Sequence, residues 1–225
     1  MEETRLHSPF DTTGREGSVL LLSGGIESAT LLHLLHRKDR VHPLFIDYGQ
    51  RAAAREREAA RAQCAALGLS LRELDMAAVG EGFRAGQERR LHVPLPHRNL
   101  VIASLAISFA AQQQATAVAL ALNREDTAAY ASASSAFVDH LRALARTLDA
   151  IDITTPLLDR SKSEIIALGL ELGVDYGHSY SCLLGYPQQC GACPQCDKRR
   201  AAFAELGLHD PAGFKKPRGT DYDQP

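Results

Sequence analysis

Residues 18–28 read SVLLLSGGIES, and this stretch decides the fold of the chain. An apolar run ends at Gly24 and Gly25, and a segment with helical apolar spacing follows from residue 29 to residue 35. This order predicts a buried strand, a tight turn and the first turn of a helix. Glycines let a backbone approach a ligand closely, and free N–H groups at a helix start favour an anion. The stretch therefore predicts a phosphate or pyrophosphate site.

The candidate nucleotide-binding residues of this turn run from the end of the strand into the helix. Ser23 and Ser28 add hydroxyl donors to the backbone N–H groups. The turn is neither a Walker loop, which needs a Gly-Lys-Ser/Thr ending, nor the G-x-G-x-x-G dinucleotide fingerprint. A Gly-Gly turn after a strand is common, so by itself it leaves the phosphate site open. The full set is Leu22, Ser23, Gly24, Gly25, Ile26, Glu27 and Ser28.

Composition limits the class of protein. The chain has 225 residues, of which 45% are hydrophobic, and this suits one domain with a substantial core. The net charge of -2 gives no electrostatic case for direct nucleic-acid binding. No apolar run is long enough to span a bilayer, and the polar start does not read as a signal peptide. We therefore expect a cytoplasmic enzyme that does not bind membranes.

Strand-like and helix-like segments alternate along the chain. Short apolar runs predict further strands at residues 41–48, 69–74, 117–122 and 151–154. Helical patterns follow at residues 52–67, 100–113, 136–148 and 165–172. The alternation predicts a doubly wound parallel α/β sheet. Three glycines predict that residues 77–90 form a loop, and Asn99 is the predicted N-cap of the helix at 100–113.

The second strand ends in a polar group of residues. Parallel sheets usually place ligands at the carboxyl ends of their strands, so these residues are candidates for the nucleotide site. The alternative is an ordinary turn between strand and helix, with Asp47 near a cap. The candidates are Asp47, Tyr48, Gln50 and Arg51.

Arg98 and Lys162 are the candidate catalytic residues. Arg98 stands at the start of a predicted helix, and its planar fork suits a phosphate, although a solvated surface position is the alternative. Ser161 and Glu164 read as a capping box that opens the helix at 165–172. Lys162 then falls in a first turn, where the helix dipole disfavours a cation. An anion nearby would remove that cost.

Four cysteines predict a metal site near the C-terminus. Cys182, Cys190, Cys193 and Cys196 have C-x7-C-x2-C-x2-C spacing, which suits tetrahedral zinc. The alternatives are an iron–sulfur cluster or four unligated thiols. Cys64 stands apart and is interpreted as a packing residue. The predicted divisions are a flexible lead-in at 1–17, an α/β domain at 18–175, a zinc-binding segment at 176–208 and a mobile tail at 209–225.

From residue 18 to residue 203, the chain resembles the QueC family of 7-cyano-7-deazaguanine synthases. This family belongs to the N-type ATP pyrophosphatase (PP-loop) superfamily, with an adenine-nucleotide alpha-hydrolase-like fold. The resemblance rests on four motifs in the same order: SGGIES at 23–28, LFIDYGQR at 44–51, Arg98-Asn99, and Thr155-Pro156-Leu157 with SKSE at 161–164, followed by the cysteine set.

The resemblance implies a reaction and its cofactors. Such enzymes use ATP and Mg²⁺ to adenylate the carboxylate of 7-carboxy-7-deazaguanine, and ammonia then displaces AMP to give an amide. A second ATP dehydrates the amide to the nitrile, a precursor of queuosine. Arg98 and Lys162 would stabilise charge on the transferred phosphoryl group, and Zn²⁺ would occupy the cysteine site. The resemblance also implies a homodimer.

Two departures stand inside the resemblance. Glu27 occupies the position of an aspartate, and Ser132 occupies the position of an acidic residue that reads the deazaguanine ring. We assign the substrate to Asn123, Asp126 and Tyr130. The departures leave two other hypotheses open. One is a QueC-like ligase that joins the deazaguanine to an amine of a partner protein in bacterial anti-phage defence. The other is a nucleotide-binding module without activity.

Overall fold

The computed structural model describes residues 14–87 and 95–215. Five strands form one parallel sheet in these residues, in the order β3-β2-β1-β4-β5. The strands are β1 Ser18–Leu21, β2 Val41–Asp47, β3 Arg72–Asp75, β4 Ala117–Ala119 and β5 Asp152–Thr154. The chain winds outward from β1 to β3 and then returns to the other side of β1. The predicted doubly wound parallel sheet is confirmed.

Helices cover both faces of the sheet. They are α1 Ile26–His36, α2 Ala53–Ala66, α3 Ala77–Arg84, α4 Arg98–Gln113, α5 Arg124–Ala129, α6 Ser135–Asp149, α7 Lys162–Glu171 and α8 Pro194–Glu205. Successive residues of β1 point to opposite faces, as the pleat requires. Leu20 packs in the core with α1, α2, α7 and α8. Val19 packs in the core with α4 and α6. Each face of the sheet therefore has its own hydrophobic core.

The predicted loop at 77–90 is wrong for its first half, since residues 77–84 form α3. The glycine that suggested a loop, Gly80, serves a close contact. A Cβ at this position would lie 1.9 Å from Tyr48 O, so only glycine lets α3 pack against the end of β2. Residues 88–90 of the predicted loop lie outside the described residues.

The predicted N-cap at Asn99 is also wrong. Helix α4 begins at Arg98, its N-cap is His97 with a left-handed φ of 49°, and no side chain caps it. Asn99 instead uses its side-chain amide to bind Ser132 O at 2.9 Å. An asparagine can satisfy backbone groups in either place, so the local pattern does not distinguish a cap from a longer-range contact.

The predicted segment boundaries are not visible as gaps in packing. Ala202 and Phe203 of α8 lie in the same core cluster as Leu20 and Ile165. Arg15, in the part of the predicted lead-in that is described, pairs with Asp149 at the end of α6. The domain division at residue 175 stays a prediction. In the described ranges, no helix combines the length and the apolar character needed to cross a membrane.

Candidate active site and metal site

The predicted phosphate loop lies at the point where the sheet changes its winding direction. Strands β2 and β4 flank β1 on opposite sides, so the carboxyl end of β1 opens into the crevice where such sheets bind ligands. The loop follows β1 directly and ends at Gly25, the N-cap of α1. The N-cap residue makes no side-chain hydrogen bond to this helix start, which follows the carboxyl end of β1. Leu22 and Ile26 are buried and anchor the loop at both ends.

Gly24 fixes the course of the loop against α2. Its φ is +75°, and an added Cβ would lie 2.5 Å from Glu56 O and 2.8 Å from the Cβ of Ala59. Beside it, the hydroxyl oxygens of Ser23 and Ser28 are 3.1 Å apart. The loop therefore combines uncapped N–H groups and two hydroxyls, which are the donors that a phosphate group binds.

Glu27, Lys162 and Asn123 meet beside this loop. Glu27 forms an ion pair with Lys162, and its Oε1 accepts a hydrogen bond from Asn123 Nδ2 at 3.0 Å. Burial would raise the pKa of the Glu27 carboxyl, but the Lys162 ammonium and the Asn123 amide hold the pKa below its ordinary value. The side chain that departs from the family pattern thus carries a negative charge across to α7.

The ion pair also compensates for the unfavourable position of the Lys162 cation at the start of α7. Ser161 and Glu164 form the predicted capping box, and Lys162 occupies the first turn. In this structure the Glu27 carboxylate is the anion that offsets the unfavourable interaction of the Lys162 ammonium with the helix dipole. The Lys162 backbone N–H donates to Glu125 Oε1 at 3.3 Å, and Glu125 Oε2 is buried without a partner among the described residues.

Asn123 and Asp126 form a second capping box, at the start of α5. Asn123 Oδ1 accepts from Asp126 N at 2.8 Å, and Asp126 Oδ2 accepts from Asn123 N at 3.4 Å. Burial and the Glu27 carboxylate raise the pKa of Asp126, while Lys162 acts against them. Tyr130 follows this helix, and its side chain is 51% exposed. Of the predicted substrate residues, Asn123 and Asp126 therefore lie beside the Glu27–Lys162 pair, and Tyr130 lies at the other end of α5.

A second group of side chains, formed by Arg98, Tyr48 and Asn99, brings the other candidate catalytic residue next to the end of β2. Arg98 Nη1 donates to the Tyr48 hydroxyl at 3.2 Å, and the guanidinium carbon lies 5.9 Å from the centre of the Tyr48 ring. Burial raises the pKa of Tyr48, and the positive charge of Arg98 acts against that shift. The Asn99 side-chain amide links this group to the short 3-10 helix Ala131–Ala133 that follows α5, because it donates a hydrogen bond to Ser132 O.

The other residues after β2 hold the turn. Asp47 accepts from Gly49 N at 2.9 Å and from Arg57 Nη2 at 2.5 Å. Gln50 accepts from Tyr48 N at 2.9 Å and donates to Glu56 Oε2 at 3.0 Å. These four side-chain contacts match the alternative interpretation of an ordinary turn. A cleft of about 400 Å³ beside the turn is lined by Asp47, Gly49, Gln50, Arg51, Ala53, Ala77, Glu81 and Arg84.

Sequence reasoning missed Glu56 and Arg57. Both lie in the first turns of α2, in a segment for which the sequence predicts a helix and no site residue. Burial raises the pKa of the Glu56 carboxyl, and the Gln50 amide acts against that shift. The available signal was their place directly after a polar strand end, where a first-turn charge can reach back to the preceding turn.

The four cysteines predicted as metal ligands come together. Their Sγ atoms all lie within 4.8 Å of one another, and those of Cys190 and Cys196 are 3.9 Å apart. Thiolates about 2.3 Å from one tetrahedral ion lie roughly 3.8 Å apart. Thiolates on separate irons of a cluster lie further apart than thiolates that share one ion. The donor set therefore fits a single zinc ion.

Backbone N–H groups support these sulfurs. Cys190 Sγ accepts from Ala192 N at 3.4 Å and from Cys193 N at 3.3 Å, and Cys182 Sγ accepts from Cys190 N at 3.5 Å. Burial raises the pKa of the Cys182 and Cys196 thiols, whereas hydrogen bonds from Ala192 N, the Cys182 thiol and Cys193 N lower the pKa of the Cys190 thiol to about 7. A lowered pKa favours the thiolate, which is the form that binds metal.

The fully buried Arg199 links Asp210 to the segment that carries the four cysteines. Arg199 Nε and Nη2 donate to the two carboxylate oxygens of Asp210 at 2.7 Å and 2.9 Å. Arg199 Nη2 also donates to Tyr176 O at 3.0 Å. Lys215 N donates to Gln189 O at 2.8 Å. Residues 209–215, at the start of the predicted mobile tail, thus lie against the cysteine segment, and residues 216–225 lie outside the described residues.

We expect one zinc ion per chain. Cys193→Ser should lose the metal and much of the stability, because a structural zinc contributes on the order of 10 kcal/mol to folding. Cys64→Ser is the matched control, since Cys64 is a buried thiol in the core with no part in the cluster. Elemental analysis of purified protein checks this. Iron in place of zinc, or a folded protein without metal, would contradict it.

The chain is similar to known proteins over most of its length. Residues 17–207 match the family described as Queuosine biosynthesis protein QueC. The 7-cyano-7-deazaguanine synthase 1 of Sulfurisphaera tokodaii is 33% identical over 198 residues, which cover 88% of this chain and 97% of that protein. The 7-cyano-7-deazaguanine synthase of Chromohalobacter salexigens is 34% identical over 236 residues, covering 97% and 92%.

Solved structures show the same fold. The NMN synthetase of Francisella tularensis has a TM-score of 0.55 and 18% identity, and the match covers 91% of this chain and 80% of that one. The U34-tRNA thiolase NcsA of Methanococcus maripaludis, solved with its 4Fe–4S cluster, has a TM-score of 0.53 and 13% identity, and the match covers 84% and 65%. At these identities the likeness concerns the fold alone.

Proposed function

Because the chain belongs to the QueC family of queuosine biosynthesis proteins, we propose that it is an ATP-dependent ligase that makes 7-cyano-7-deazaguanine. The observation that carries the proposal is the meeting of Glu27, Lys162 and Asn123 beside an uncapped phosphate loop. A cation, an anion-binding helix start and polar groups for a second substrate stand together at the crevice of the sheet.

The reaction follows from the chemistry of a carboxylate. The carboxylate of 7-carboxy-7-deazaguanine is a poor electrophile, so its oxygen first attacks the α-phosphorus of ATP and expels pyrophosphate. Ammonia then attacks the acyl carbon, AMP leaves, and a proton is lost to give the amide. The amide oxygen then attacks the α-phosphorus of a second ATP and expels pyrophosphate, and loss of AMP and of both protons from the nitrogen leaves the nitrile. No protein nucleophile takes part.

The phosphate loop and the two cations hold the phosphoryl groups. Residues 23–28 bind the pyrophosphate through backbone N–H groups and the Ser23 and Ser28 hydroxyls. Lys162 and Arg98 stabilise the charge that develops on the α-phosphate. Lys162 is held by Glu27 and Arg98 by Tyr48, so both cations are oriented before the substrate binds. Pre-orientation matters because a fixed charge needs no rearrangement during the reaction.

Magnesium fits as an ion that arrives with ATP. Mg²⁺ sites in such enzymes usually combine one or two carboxylates with substrate phosphates. Among the residues described, the cysteines form the one cluster whose ligand atoms could surround an ion by themselves. Phosphate oxygens of ATP and water molecules would supply most of the Mg²⁺ coordination. The ion would neutralise charge on the phosphates.

The deazaguanine ring lies against α5 in this proposal. Asn123 and Asp126 offer an amide and a carboxylate at the start of this helix, and Tyr130 offers an exposed ring at its end. Asp126 takes the part of the acidic residue that Ser132 does not supply, because a carboxylate can accept from two adjacent donors of a guanine-like edge. On the nucleotide side, Tyr48 and Arg51 contact ATP, while Asp47 and Gln50 hold their turn.

The test is mass spectrometry of a reaction with ATP, Mg²⁺, 7-carboxy-7-deazaguanine and ammonium. We expect the nitrile, with two AMP released for each nitrile formed, and no AMP in the absence of the deazaguanine. AMP release without amide or nitrile would overturn ammonia as the acceptor and would point to another amine, such as one on a partner protein. No ATP turnover with this substrate would overturn the proposed function.

A further inference from the structure

The cysteine segment contacts the phosphate loop directly. Tyr180, two residues before the ligand Cys182, donates its backbone N–H to Gly24 O at 2.9 Å. A Cβ added to Gly25 would lie 3.7 Å from Tyr180 O, so the two backbones run against each other here. The course of the loop at Gly24 and Gly25 therefore depends on where residue 180 stands.

A second contact reaches the turn after β2. Gly185 lies between the first two cysteine ligands, has φ of +68°, and leaves only 2.3 Å between an added Cβ and Arg51 O. The Tyr180 hydroxyl donates to Tyr186 O at 2.8 Å and closes this part of the chain into a compact loop. The loop between Cys182 and Cys190 is thus pressed onto residue 51.

Helix α2 lies between the two sites. Ala52 and Ala59, at the start of α2 and within it, pack in one cluster with Tyr180 and the ligands Cys182, Cys193 and Cys196. Gly24 packs against the same helix, at Glu56 O and Ala59. Small side chains on α2 let both the phosphate loop and the cysteine cluster approach closely, so a shift of one is transmitted to the other.

We propose that Tyr180 and Gly185 are positioning residues, through which the metal-bound cysteine cluster holds the phosphate loop and the 47–51 turn in their nucleotide-binding geometry. The metal pins Cys182 and Cys190 and so fixes both ends of the loop that carries Gly185. The inference rests on the proposed function only in that the phosphate loop binds ATP, and the second substrate has no part in it.

Two glycines give a matched pair for the test. Gly185→Ala adds a Cβ that meets Arg51 O, whereas Gly207→Ala has the same φ of +68° with nothing within 4 Å. We expect Gly185→Ala to raise the Kd for ATP with Mg²⁺ at least about tenfold, and Gly207→Ala to leave it unchanged. Both should keep one zinc per chain. Amide hydrogen exchange at residues 23–28 should quicken in Gly185→Ala alone.

Metal removal gives an independent measurement. Chelation of the wild-type protein should raise the Kd for ATP and quicken exchange more at residues 23–28 than at the amides of α4 and α6 on the far face. Equal Kd and exchange in the two glycine variants would overturn the proposal. A metal-free protein that stays folded and keeps its ATP affinity would also overturn it.

A gentler pair covers the case in which Gly185→Ala does not fold. Tyr180→Phe removes only the hydroxyl that reaches Tyr186 O, and Tyr186→Phe removes a hydroxyl from a side chain that is 44% exposed. We expect faster exchange at residues 23–28 in Tyr180→Phe only, and equal exchange would overturn the proposal. If the wild type bound no ATP, the proposed function would fail, but these exchange comparisons would still decide the positioning role.

Discussion

Gly24→Ala is expected to reduce ATP–pyrophosphate exchange by about 100-fold or more, the effect of moving a catalytic group by roughly 1 Å. The new Cβ would stand 2.5 Å from Glu56 O and 2.8 Å from both the Cβ of Ala59 and the N of Ala60. Neither α2 backbone atom can yield without moving the helix, and φ of +75° disfavours alanine as well. The phosphate loop must therefore move away from α2.

Gly68→Ala separates the two causes of this loss. Gly68 follows α2, has φ of +66°, and has nothing within 4 Å of an added Cβ. It should lose about 1 kcal/mol of stability from backbone strain and keep its exchange activity. Thermal unfolding and pyrophosphate exchange, measured on both variants, check this. Equal exchange rates in the two variants would show that the contact with α2 does not set the geometry of the loop.

Lys162→Met is expected to lower the rate of adenylation by roughly 100- to 1000-fold, as removal of a group that stabilises transition-state charge does. It should also destabilise the fold by up to about 3–5 kcal/mol, because Glu27 keeps its charge in a largely buried place without its partner. The double variant Lys162→Met with Glu27→Gln should recover the stability and stay inactive, which separates the two effects.

The pH dependence of stability has a defined sign. In the wild type the pKa of Glu27 lies below its ordinary value of 4.5, so the pair stabilises the fold above that pH and loses its effect as the pH falls through the folded pKa. In Lys162→Met, burial without the ammonium should raise that pKa above 4.5, so stability should rise as the pH falls towards it. Thermal unfolding between about pH 2.5 and pH 8 checks both slopes, because the wild-type slope lies below pH 4.5.

The control for Lys162→Met is Lys38→Met, an exposed lysine after α1. It should keep the adenylation rate and the unfolding temperature of the wild type, and its stability should depend on pH as that of the wild type does. Adenylation in Lys162→Met at the rate of Lys38→Met would remove Lys162 from the catalytic site. A flat pH profile in Lys162→Met would instead show that Glu27 has found another partner.

Sequence patterns predicted the sheet because its strands lie within or next to short apolar runs between clear breakers. Residues 18–28 contain the strand, the turn and the helix start in one continuous sequence pattern, and the capping box at Ser161 and Glu164 is equally local. The helix at 77–84 was missed because Gly80 and Gly82 are turn signals in isolation. Gly80 is instead needed for the approach of α3 to Tyr48, and no local pattern reveals such a contact.

Partners that come from distant parts of the chain were the main limit at the site. The pairing of Glu27 with Lys162 joins α1 to α7, and the sequence identified both residues without showing that they meet. Arg199 reads as one of many charged residues on a helix, yet it is fully buried because Asp210 satisfies its fork. The spacing of the four cysteines was sufficient because metal ligands close in sequence form a local pattern.

The contact between Tyr180 and Gly24 also constrains how the protein is made on the ribosome. The phosphate loop emerges from the exit tunnel before residue 180, whose backbone N–H binds Gly24 O. Parallel strands and contacts between distant residues form late, after the intervening chain is available. A nascent chain therefore carries the phosphate loop before residue 180 is present to hold it, and the loop takes its final course only after that residue has been made.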